Sequence, residues 1–244
     1  MNQTVLITGA SSGLGMAIAE YFAKKGYNVV IHYHTHENVA LKLKEKLESE
    51  YQVQALSIKA NLQNEEEIKH MVEHIIATFK TIDVLVNNAG IAIDTTFEDK
   101  TKENFMKILD TNLVAPFLVS KYVSKIMLQN KKGSIINVSS TNAIDSYYPY
   151  SMDYDSSKAG LNILTKNMSV ELAPYIRVNA IAPGWINTPM NEYLDKNFKE
   201  KEIKKIALNR FAEPIEIAKI IYFLASDDAS YINGSIIVAD GGRI

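Results

Sequence analysis

Cysteine is absent from the 244 residues of this sequence. Disulfide bonds, thiol catalysis and thiolate metal sites are therefore excluded. A strong charge of either sign is also lacking, because 26 basic and 28 acidic residues leave a net charge of −2. We therefore expect neither a nucleic acid nor an anionic membrane as partner. The sequence lacks long apolar runs and a basic leader, so we expect a cytoplasmic protein without a membrane span.

Histidine is scarce, but three of the five residues, His32, His34 and His36, alternate along one short stretch. In a strand this alternation places all three on one face, an arrangement that a zinc ion could use. No carboxylate accompanies them in the pattern. We therefore expect exposed polar residues at the end of a strand, and we predict no metal site.

Short segments rich in β-branched residues alternate with longer segments of helical character. The apolar runs are nearly continuous, as in strands that are buried on both faces of a parallel sheet. Seven strands are predicted, at residues 4–10, 27–33, 53–60, 82–90, 133–140, 176–184 and 234–242.

The intervening segments show the spacing of amphipathic helices, clearest at residues 13–26, 38–50 and 65–80. Regular alternation of strand and helix predicts a three-layer α/β fold with a doubly wound sheet. No linker or internal repeat interrupts the pattern, so we expect residues 1–244 to form a single domain. The charged segment 187–210 is predicted to be helical and follows the sixth strand, where a lid over the active site would lie.

The first predicted strand ends in TGASSGLG, residues 8–15. Gly9 suits a tight turn, Gly13 lets backbone approach a bound group, and Gly15 allows close packing of helix on strand. The following helix N-terminus favours an anion such as a pyrophosphate. The segment therefore predicts a Rossmann fold that binds a dinucleotide. The predicted contacts are Gly9, Ser11, Ser12, Gly13, Leu14 and Gly15.

Tyr154 and Lys158 are four residues apart at the start of a predicted helix, so both project from one face. A nearby ammonium lowers the pKa of a phenol, which is about 10 in model compounds, toward the range useful for proton transfer. The neighbouring Tyr147, Tyr148 and Tyr150 have no lysine four residues later. We expect them to be packing or substrate-facing aromatic residues.

Together these motifs carry a family resemblance. T-G-x-x-x-G-x-G, NNAG at residues 87–90 and Y-x-x-x-K at 154–158 resemble the short-chain dehydrogenase/reductase family, and within it 3-oxoacyl-carrier-protein reductases. The similarity extends over the chain through NVSS at 137–140 and APGWINTPM at 182–190. It implies an enzyme that transfers a hydride between a nicotinamide and a carbonyl or secondary alcohol. It also implies a homotetramer, built through the long helices after the fourth and fifth strands and through the last strand.

The resemblance assigns catalytic roles to Asn112, Ser140, Tyr154 and Lys158. Two residues are candidates for the catalytic hydroxyl group. The strand-end pattern indicates Ser140, whereas Thr141 stands at the usual distance of thirteen residues before the tyrosine. Asn112 resembles the family asparagine that connects the lysine to solvent through a water. The alternative interpretation is that Asn112 is a helix residue whose side chain only forms hydrogen bonds to the local backbone.

Cofactor preference depends on the end of the second strand. Tyr33, His34 and Thr35 stand there, and no acidic residue is present to bind the ribose hydroxyls of NAD. Because His34 and Thr35 can donate to a 2′-phosphate, we expect NADP(H) to be preferred over NAD(H). The remaining cofactor contacts implied by the resemblance are Asn61, Leu62, Asn88, Ala89, Gly90, Tyr154, Lys158, Pro183, Gly184, Ile186 and Thr188.

The substrate stays open at this stage. Lys131 and Lys132 stand where carrier-protein reductases present basic residues, which favours an acyl chain bound to a carrier protein. Tyr175 replaces a basic residue that such enzymes often have before the sixth strand, which favours a free small ketone or a specialised metabolite. A sugar-nucleotide epimerase would need a longer chain. A non-catalytic dinucleotide sensor is disfavoured because Tyr154 and Lys158 are both present.

Overall fold

The computed structural model describes residues 2–145, 148–191 and 194–243. Within these ranges seven parallel strands form one sheet in the order β3-β2-β1-β4-β5-β6-β7. The strands are β1 (Thr4–Ile7), β2 (Asn28–Tyr33), β3 (Ala55–Lys59), β4 (Val84–Asn87), β5 (Gly133–Val138), β6 (Ile176–Pro183) and β7 (Ile236–Ala239).

Helices cover both faces of this sheet, so the predicted three-layer, doubly wound Rossmann fold is confirmed. They are α1 (Gly13–Lys24), α2 (Glu37–Tyr51), α3 (Glu65–Phe79), α4 (Lys102–Leu109), α5 (Ala115–Asn130), α6 (Met152–Glu171), α7 (Lys196–Ile203) and α8 (Pro214–Ala225). One core cluster lies between the sheet and α1, α2 and α8, and a second lies under α3 and α5. None of the helices in the described ranges is both long and apolar enough to cross a membrane.

Strand order reverses between β1 and β4, which are direct neighbours although two strands separate them along the chain in sequence. In doubly wound sheets, ligands bind in the crevice that opens beside the carboxyl ends of the strands at such a point. The observed strands are shorter than predicted, since β4 ends at Asn87 whereas the apolar pattern runs to Gly90. The residues beyond the strand ends line this crevice.

The predicted lid is less helical than its composition indicates. Within 187–210 the α-helix is confined to Lys196–Ile203, with Asp195 as its N-cap, and a 3₁₀ turn covers Pro189–Asn191. Glu202 of α7 is only 6% exposed, so the charges of this segment are not all on a solvated face.

Candidate active site

The turn after β1 and the NNAG segment after β4 are bound to each other. The Thr8 Oγ1 atom accepts hydrogen bonds from the N–H groups of Asn88 and Ala89, each at 3.0 Å. In return, the Asn88 side-chain amide donates to the carbonyl oxygens of Thr8 (2.9 Å) and Gly9 (3.2 Å). The two loops therefore form one surface at the point where strand order reverses.

Glycine is required in this turn by both conformation and space. Gly9 has φ +65°, and a Cβ atom built on it would lie 2.9 Å from the Cα of Ala89. A Cβ on Gly15 would lie 2.8 Å from the Cα of Ala10. Helix α1 starts directly after this turn without a side-chain cap and without an acidic residue in its first turn. Its N-terminal N–H groups are thus left for an anion, and the turn fits the pyrophosphate of a dinucleotide.

His32 contradicts the expectation of exposed histidines at this strand end. It is 2% exposed, and its two ring nitrogens join the glycine-rich turn to the end of β3. The Gly9 N–H donates to Nδ1 at 3.0 Å, and Nε2 donates to the Ala60 carbonyl at 3.0 Å. Burial lowers the pKa of His32 to about 4, so the ring is neutral at pH 7. Alternation alone could not reveal this, because the partners lie 23 and 28 residues away.

The other predicted contacts of the turn differ in exposure. Ser11 and Leu14 are buried, whereas Ser12 is exposed and stands before the first residue of α1.

Thr188 comes from the opposite side of the crevice, since a Cβ on Gly13 would lie 3.3 Å from its Cβ. Ile186 forms a bridge to Ala212. Pro183 is the last residue of β6, and the loop that begins with Gly184 therefore faces the glycine-rich turn.

The pair predicted to hold adenine offers little side-chain chemistry. The Asn61 N–H donates to Glu67 Oε2 at 2.7 Å, and its Oδ1 accepts from the Gln63 N–H at 3.1 Å. The Leu62 side chain packs into the core under α3. Contacts from this pair to a nucleotide would therefore come mainly from the backbone.

At the end of β2, His34 and Thr35 are exposed, while Tyr33 is buried. The Tyr33 hydroxyl donates to Glu37 Oε1 at 3.1 Å. Sequence reasoning did not weigh Glu37, which lies four residues beyond the strand end at the start of α2. Its carboxylate is the nearest acidic group along the chain to the predicted 2′-phosphate contacts.

Lys158 lies beneath the crevice and is 4% exposed. Its Nζ donates to the Val138 carbonyl at 2.7 Å and lies 5.6 Å from the centre of the Tyr154 ring. A Cβ on Gly90 would lie 3.5 Å from the same Nζ, so the NNAG segment meets the lysine here. Burial lowers the pKa of Lys158 to about 8.

The Tyr154 phenol has a pKa that is raised to about 12, chiefly by burial. A hydrogen bond with Ser140 acts in the opposite direction, and the carboxylate of Asp155 raises the pKa further. Burial therefore decides the pKa of Tyr154 in this structure, whereas the lowering expected from the Lys158 ammonium stays a prediction. The phenol is protonated at neutral pH, which is the form that can donate a proton.

The structure places the Ser140 side chain against the Tyr154 phenol. Ser140 Oγ also accepts from the Asn142 N–H at 3.2 Å as the cap of a 3₁₀ turn, Thr141–Ala143. Thr141 itself is 2% exposed and sits inside that turn. Ser139 is buried and donates to the Lys158 carbonyl at 3.4 Å. Of the two candidate hydroxyls, the geometry favours Ser140.

Asn112 lies fully buried in a π-helical turn, Asp110–Val114, between α4 and α5. Its Oδ1 accepts from the Ile91 N–H at 2.9 Å, and its Nδ2 donates to the Ile91 carbonyl at 2.9 Å and to Ser157 Oγ at 3.1 Å. These partners are distant in sequence, so Asn112 is not bonded to the local backbone of its own helix. It joins the segment after NNAG to α6, one residue from Lys158.

The tyrosine-rich loop is held by Asp155. Its carboxylate accepts hydrogen bonds from Asn142 Nδ2 at 2.8 Å, Ser151 Oγ at 3.2 Å and the Tyr148 N–H at 3.4 Å. Tyr147 lies outside the described residues. Sequence reasoning missed Asp155 because its role depends on how the loop folds back on α6.

Aromatic side chains extend from this loop to the predicted lid. The ring centre of Tyr148 lies 5.6 Å from that of Tyr150 and 6.4 Å from that of Phe198 in α7. Phe198 in turn packs edge-on against Trp185 at 5.9 Å. The Trp185 indole donates to the buried Glu202 at 3.0 Å. The lid and the tyrosine-rich loop thus meet through aromatic contacts.

Lys100 and Asp153 form a buried ion pair at the N-terminus of α6. The Lys100 Nζ lies 2.9 Å from Oδ1 and 3.0 Å from Oδ2 of Asp153. Their side chains are 4% and 0% exposed. Sequence reasoning missed this pair, because 53 residues separate the two side chains and neither belongs to a motif.

No group of three or more histidine, aspartate or glutamate side chains placed to hold a metal ion occurs among residues 2–145, 148–191 and 194–243. The features that the crevice does contain are a turn for a pyrophosphate, a protonated phenol and a buried amine.

Comparison with known proteins places this arrangement in a family. A family model described as Enoyl-(Acyl carrier protein) reductase matches residues 9–243. The 3-oxoacyl-[acyl-carrier-protein] reductase FabG of Thermotoga maritima is 40% identical over 240 residues, covering 98% of this chain and 96% of that protein. The chain belongs to the short-chain dehydrogenase/reductase family. It is accordingly an NAD(P)-dependent oxidoreductase.

Solved structures of family members share the fold across the chain. The 3-oxoacyl-[acyl-carrier protein] reductase from Brucella melitensis has a TM-score of 0.92 at 29% identity, covering 99% of this chain and 91% of that one. Acetoin dehydrogenase YohF from Salmonella typhimurium has a TM-score of 0.90 at 32% identity, covering 100% and 96%. These two family members differ in the substrates that their names give.

Proposed function

We propose that this enzyme reduces a ketone of the 3-oxoacyl type to a secondary alcohol with NADPH. The observation that carries the proposal is the placement of Ser140, Tyr154 and Lys158 in one crevice beside the glycine-rich turn. A protonated phenol, a neighbouring hydroxyl and a buried amine are the groups that carbonyl reduction needs.

Each side chain has a distinct task in this proposal. Ser140 donates a hydrogen bond to the carbonyl oxygen and stabilises the negative charge that develops there. Tyr154 donates its proton to the same oxygen. The nicotinamide, when bound, supplies the hydride to the carbonyl carbon.

Lys158 stabilises the phenolate that remains after the proton has left Tyr154, since opposite charges at this separation attract strongly in a buried site. We propose that it also binds the nicotinamide ribose, because its Nζ lies beside Gly90. Asn112 holds the Ile91 backbone and Ser157 next to this amine. In that position it keeps open the path by which water returns a proton to the lysine.

The glycine-rich turn and the N-terminus of α1 would hold the pyrophosphate of the cofactor. The residues 88–90 would lie under the ribose, and Ile186 and Thr188 would meet the nicotinamide. NADPH is proposed over NADH because exposed His34 and Thr35 can donate to a 2′-phosphate, whereas positions 33–35 offer no carboxylate to a ribose hydroxyl.

The 3-oxoacyl substrate is proposed from the relatives with that activity in their names. A free small ketone is the second candidate, and one observation favours it. The rings of Tyr148, Tyr150 and Phe198 form an aromatic cluster between the tyrosine-rich loop and the proposed lid, which would suit a compact apolar ketone.

The test uses the wild-type enzyme and Tyr154→Phe with NADPH and with NADH. The substrates are a 3-oxoacyl thioester, with and without a carrier protein, and small ketones such as acetoin. We expect Tyr154→Phe to lose nearly all turnover, because the acid is gone, while the dissociation constant of NADPH changes less than about twofold. Undiminished turnover in Tyr154→Phe would refute the proposed mechanism. Equal kcat/KM values for NADH and NADPH would refute the cofactor preference.

A further inference from the structure

The Lys100 ammonium connects three separate segments of the chain. Besides the Asp153 carboxylate, it donates to the Ile93 carbonyl at 2.8 Å and to the Tyr150 carbonyl at 3.1 Å. These acceptors lie in the segment between β4 and α4 and in the 3₁₀ turn Pro149–Ser151. An ammonium has three N–H donors, so these contacts use all of them. Lys100 therefore holds both loops against the start of α6.

Asp153 connects this ammonium to the proposed catalytic residue. Its Oδ1 accepts from the Tyr154 N–H at 3.0 Å. Tyr154 is the third residue of α6, and N–H groups in the first turn of a helix have no acceptor within the helix. A carboxylate suits this position, but a buried one is costly unless an opposite charge accompanies it. Lys100 is that charge.

The two loops joined by Lys100 are also bound to each other and to residues close to Tyr154 in the chain. The Thr95 N–H also donates to the Tyr150 carbonyl at 3.0 Å, so these loops contact each other independently of the ion pair. One of them carries Ile91, which Asn112 binds, and the other carries Tyr148 and Tyr150. A displacement of either loop would therefore reach the surroundings of Tyr154.

We propose that Lys100 and Asp153 are a positioning pair that holds Tyr154 and its two flanking loops in the geometry required for proton transfer. Neither residue belongs to the glycine-rich turn or to the other segments proposed to hold the cofactor, so we expect the pair to act mainly on the chemical step. A misplacement of about 1 Å can reduce a rate by about a hundredfold. The inference rests on the proposed carbonyl reduction.

The experiment compares Lys100→Met, Asp153→Asn and the double variant with the wild type. Methionine keeps the length and apolar stem of lysine, and asparagine keeps an oxygen that can accept from the Tyr154 N–H. Lys46→Met is the matched control, because Lys46 binds Glu20 at 2.8 Å in an ion pair that is 41% and 30% exposed. Measurements are kcat and KM for the ketone, the NADPH dissociation constant, the melting temperature and hydrogen–deuterium exchange without substrate.

We expect kcat to fall about tenfold to a hundredfold in Lys100→Met and in Asp153→Asn, with NADPH binding changed less than about twofold. Exchange should accelerate at residues 91–100 and 148–158 but not at 8–15. The double variant should regain melting temperature, since no buried charge is left unpaired. Its kcat should stay low, because methionine cannot donate to the carbonyls of Ile93 and Tyr150. Lys46→Met should match the wild type.

The proposal is overturned if kcat recovers in step with melting temperature in the double variant, since the pair would then be merely structural. It is equally overturned if the single variants keep wild-type kcat, or if exchange at 91–100 and 148–158 is unchanged. Failure of the proposed function looks different, because wild type and Lys46→Met would then both lack turnover. The exchange data would still decide whether the pair holds the two loops.

Discussion

At the scale of single residues, burial decides the chemistry of this site. Burial shifts the pKa values of Lys158 and Tyr154 in opposite directions, because desolvation disfavours the charged form of each. The ammonium becomes easier to deprotonate and the phenol harder. Near neutral pH the phenol therefore holds its proton, and the lysine is still mostly an ammonium but loses its proton about one pH unit higher.

The pH profile of ketone reduction should report this lysine. Because the pKa of Lys158 is lowered to about 8, its ammonium is present below pH 8 and lost above it. We expect kcat/KM to be level near pH 6–7 and to fall about tenfold per unit well above pH 8. In Lys158→Arg the charge persists at all these pH values, so the residual activity should not fall above pH 8. A wild-type profile that stays level to pH 10 would contradict the assignment.

His32 makes a second prediction, which concerns stability. Its pKa is lowered from 6.5 to about 4 in the folded state, so the unfolded chain binds more protons between these values. Stability is therefore present above pH 6.5 and is lost as pH falls toward 4, by about 1.4 kcal/mol per pH unit from this group.

In His32→Asn, which keeps an acceptor for the Gly9 N–H but cannot titrate, that loss should be absent. Urea denaturation of wild type and variant at pH 7, 6 and 5 measures the difference, while the other titrating groups cancel. Parallel stability profiles for the two proteins would refute the prediction.

At the scale of elements, the site consists of strand ends and the loops that follow them. The glycine-rich turn illustrates the point. Its own backbone conformation requires glycine, and the neighbouring NNAG segment leaves no room for a side chain there. The predicted lid differs from this turn, because its position depends on contacts with other segments. Its helix α7 is short and is held by Glu202, which binds Trp185, Lys205 and Arg243.

The variants Gly9→Ala and Gly26→Ala separate the two reasons for glycine, which are its backbone conformation and the lack of space for a Cβ atom. Both residues have positive φ, but a Cβ on Gly26 has no atom within 4 Å, whereas one on Gly9 meets Ala89 at 2.9 Å. We expect Gly26→Ala to cost about 1 kcal/mol of unfolding free energy with normal NADPH binding. Gly9→Ala should be less stable still and should bind NADPH about tenfold more weakly. Equal NADPH affinities in the two variants would argue against a cofactor contact at this turn.

At the scale of the whole molecule, exposed apolar side chains lie on two long helices. Phe117 of α5 is 45% exposed, and Ile163 and Val170 of α6 are 58% and 79% exposed. Burial of such side chains between subunits would remove apolar surface from water. They lie on the helices through which the family resemblance predicts a homotetramer.

We therefore expect Ile163→Glu to reduce the molecular mass in solution, measured by light scattering, from that of a tetramer to that of smaller species. The matched control is Leu41→Glu on α2, where Leu41 is 42% exposed on a helix outside the predicted interface. A wild-type monomer, or an Ile163→Glu variant that stays tetrameric, would contradict the prediction.

Local patterns in the sequence were enough to predict the order of strands and helices along the chain, the glycine-rich turn and the Tyr154–Lys158 spacing. These features are local, because periodicity and short motifs follow from the geometry of one helix, strand or turn. Three features became known from the folded chain: the hydroxyl that meets the phenol, the burial of His32 and the pairing of Lys100 with Asp153. Those outcomes depend on contacts between residues tens of positions apart, and on burial, which sets the pKa values of Tyr154 and Lys158 and is a property of the packed fold.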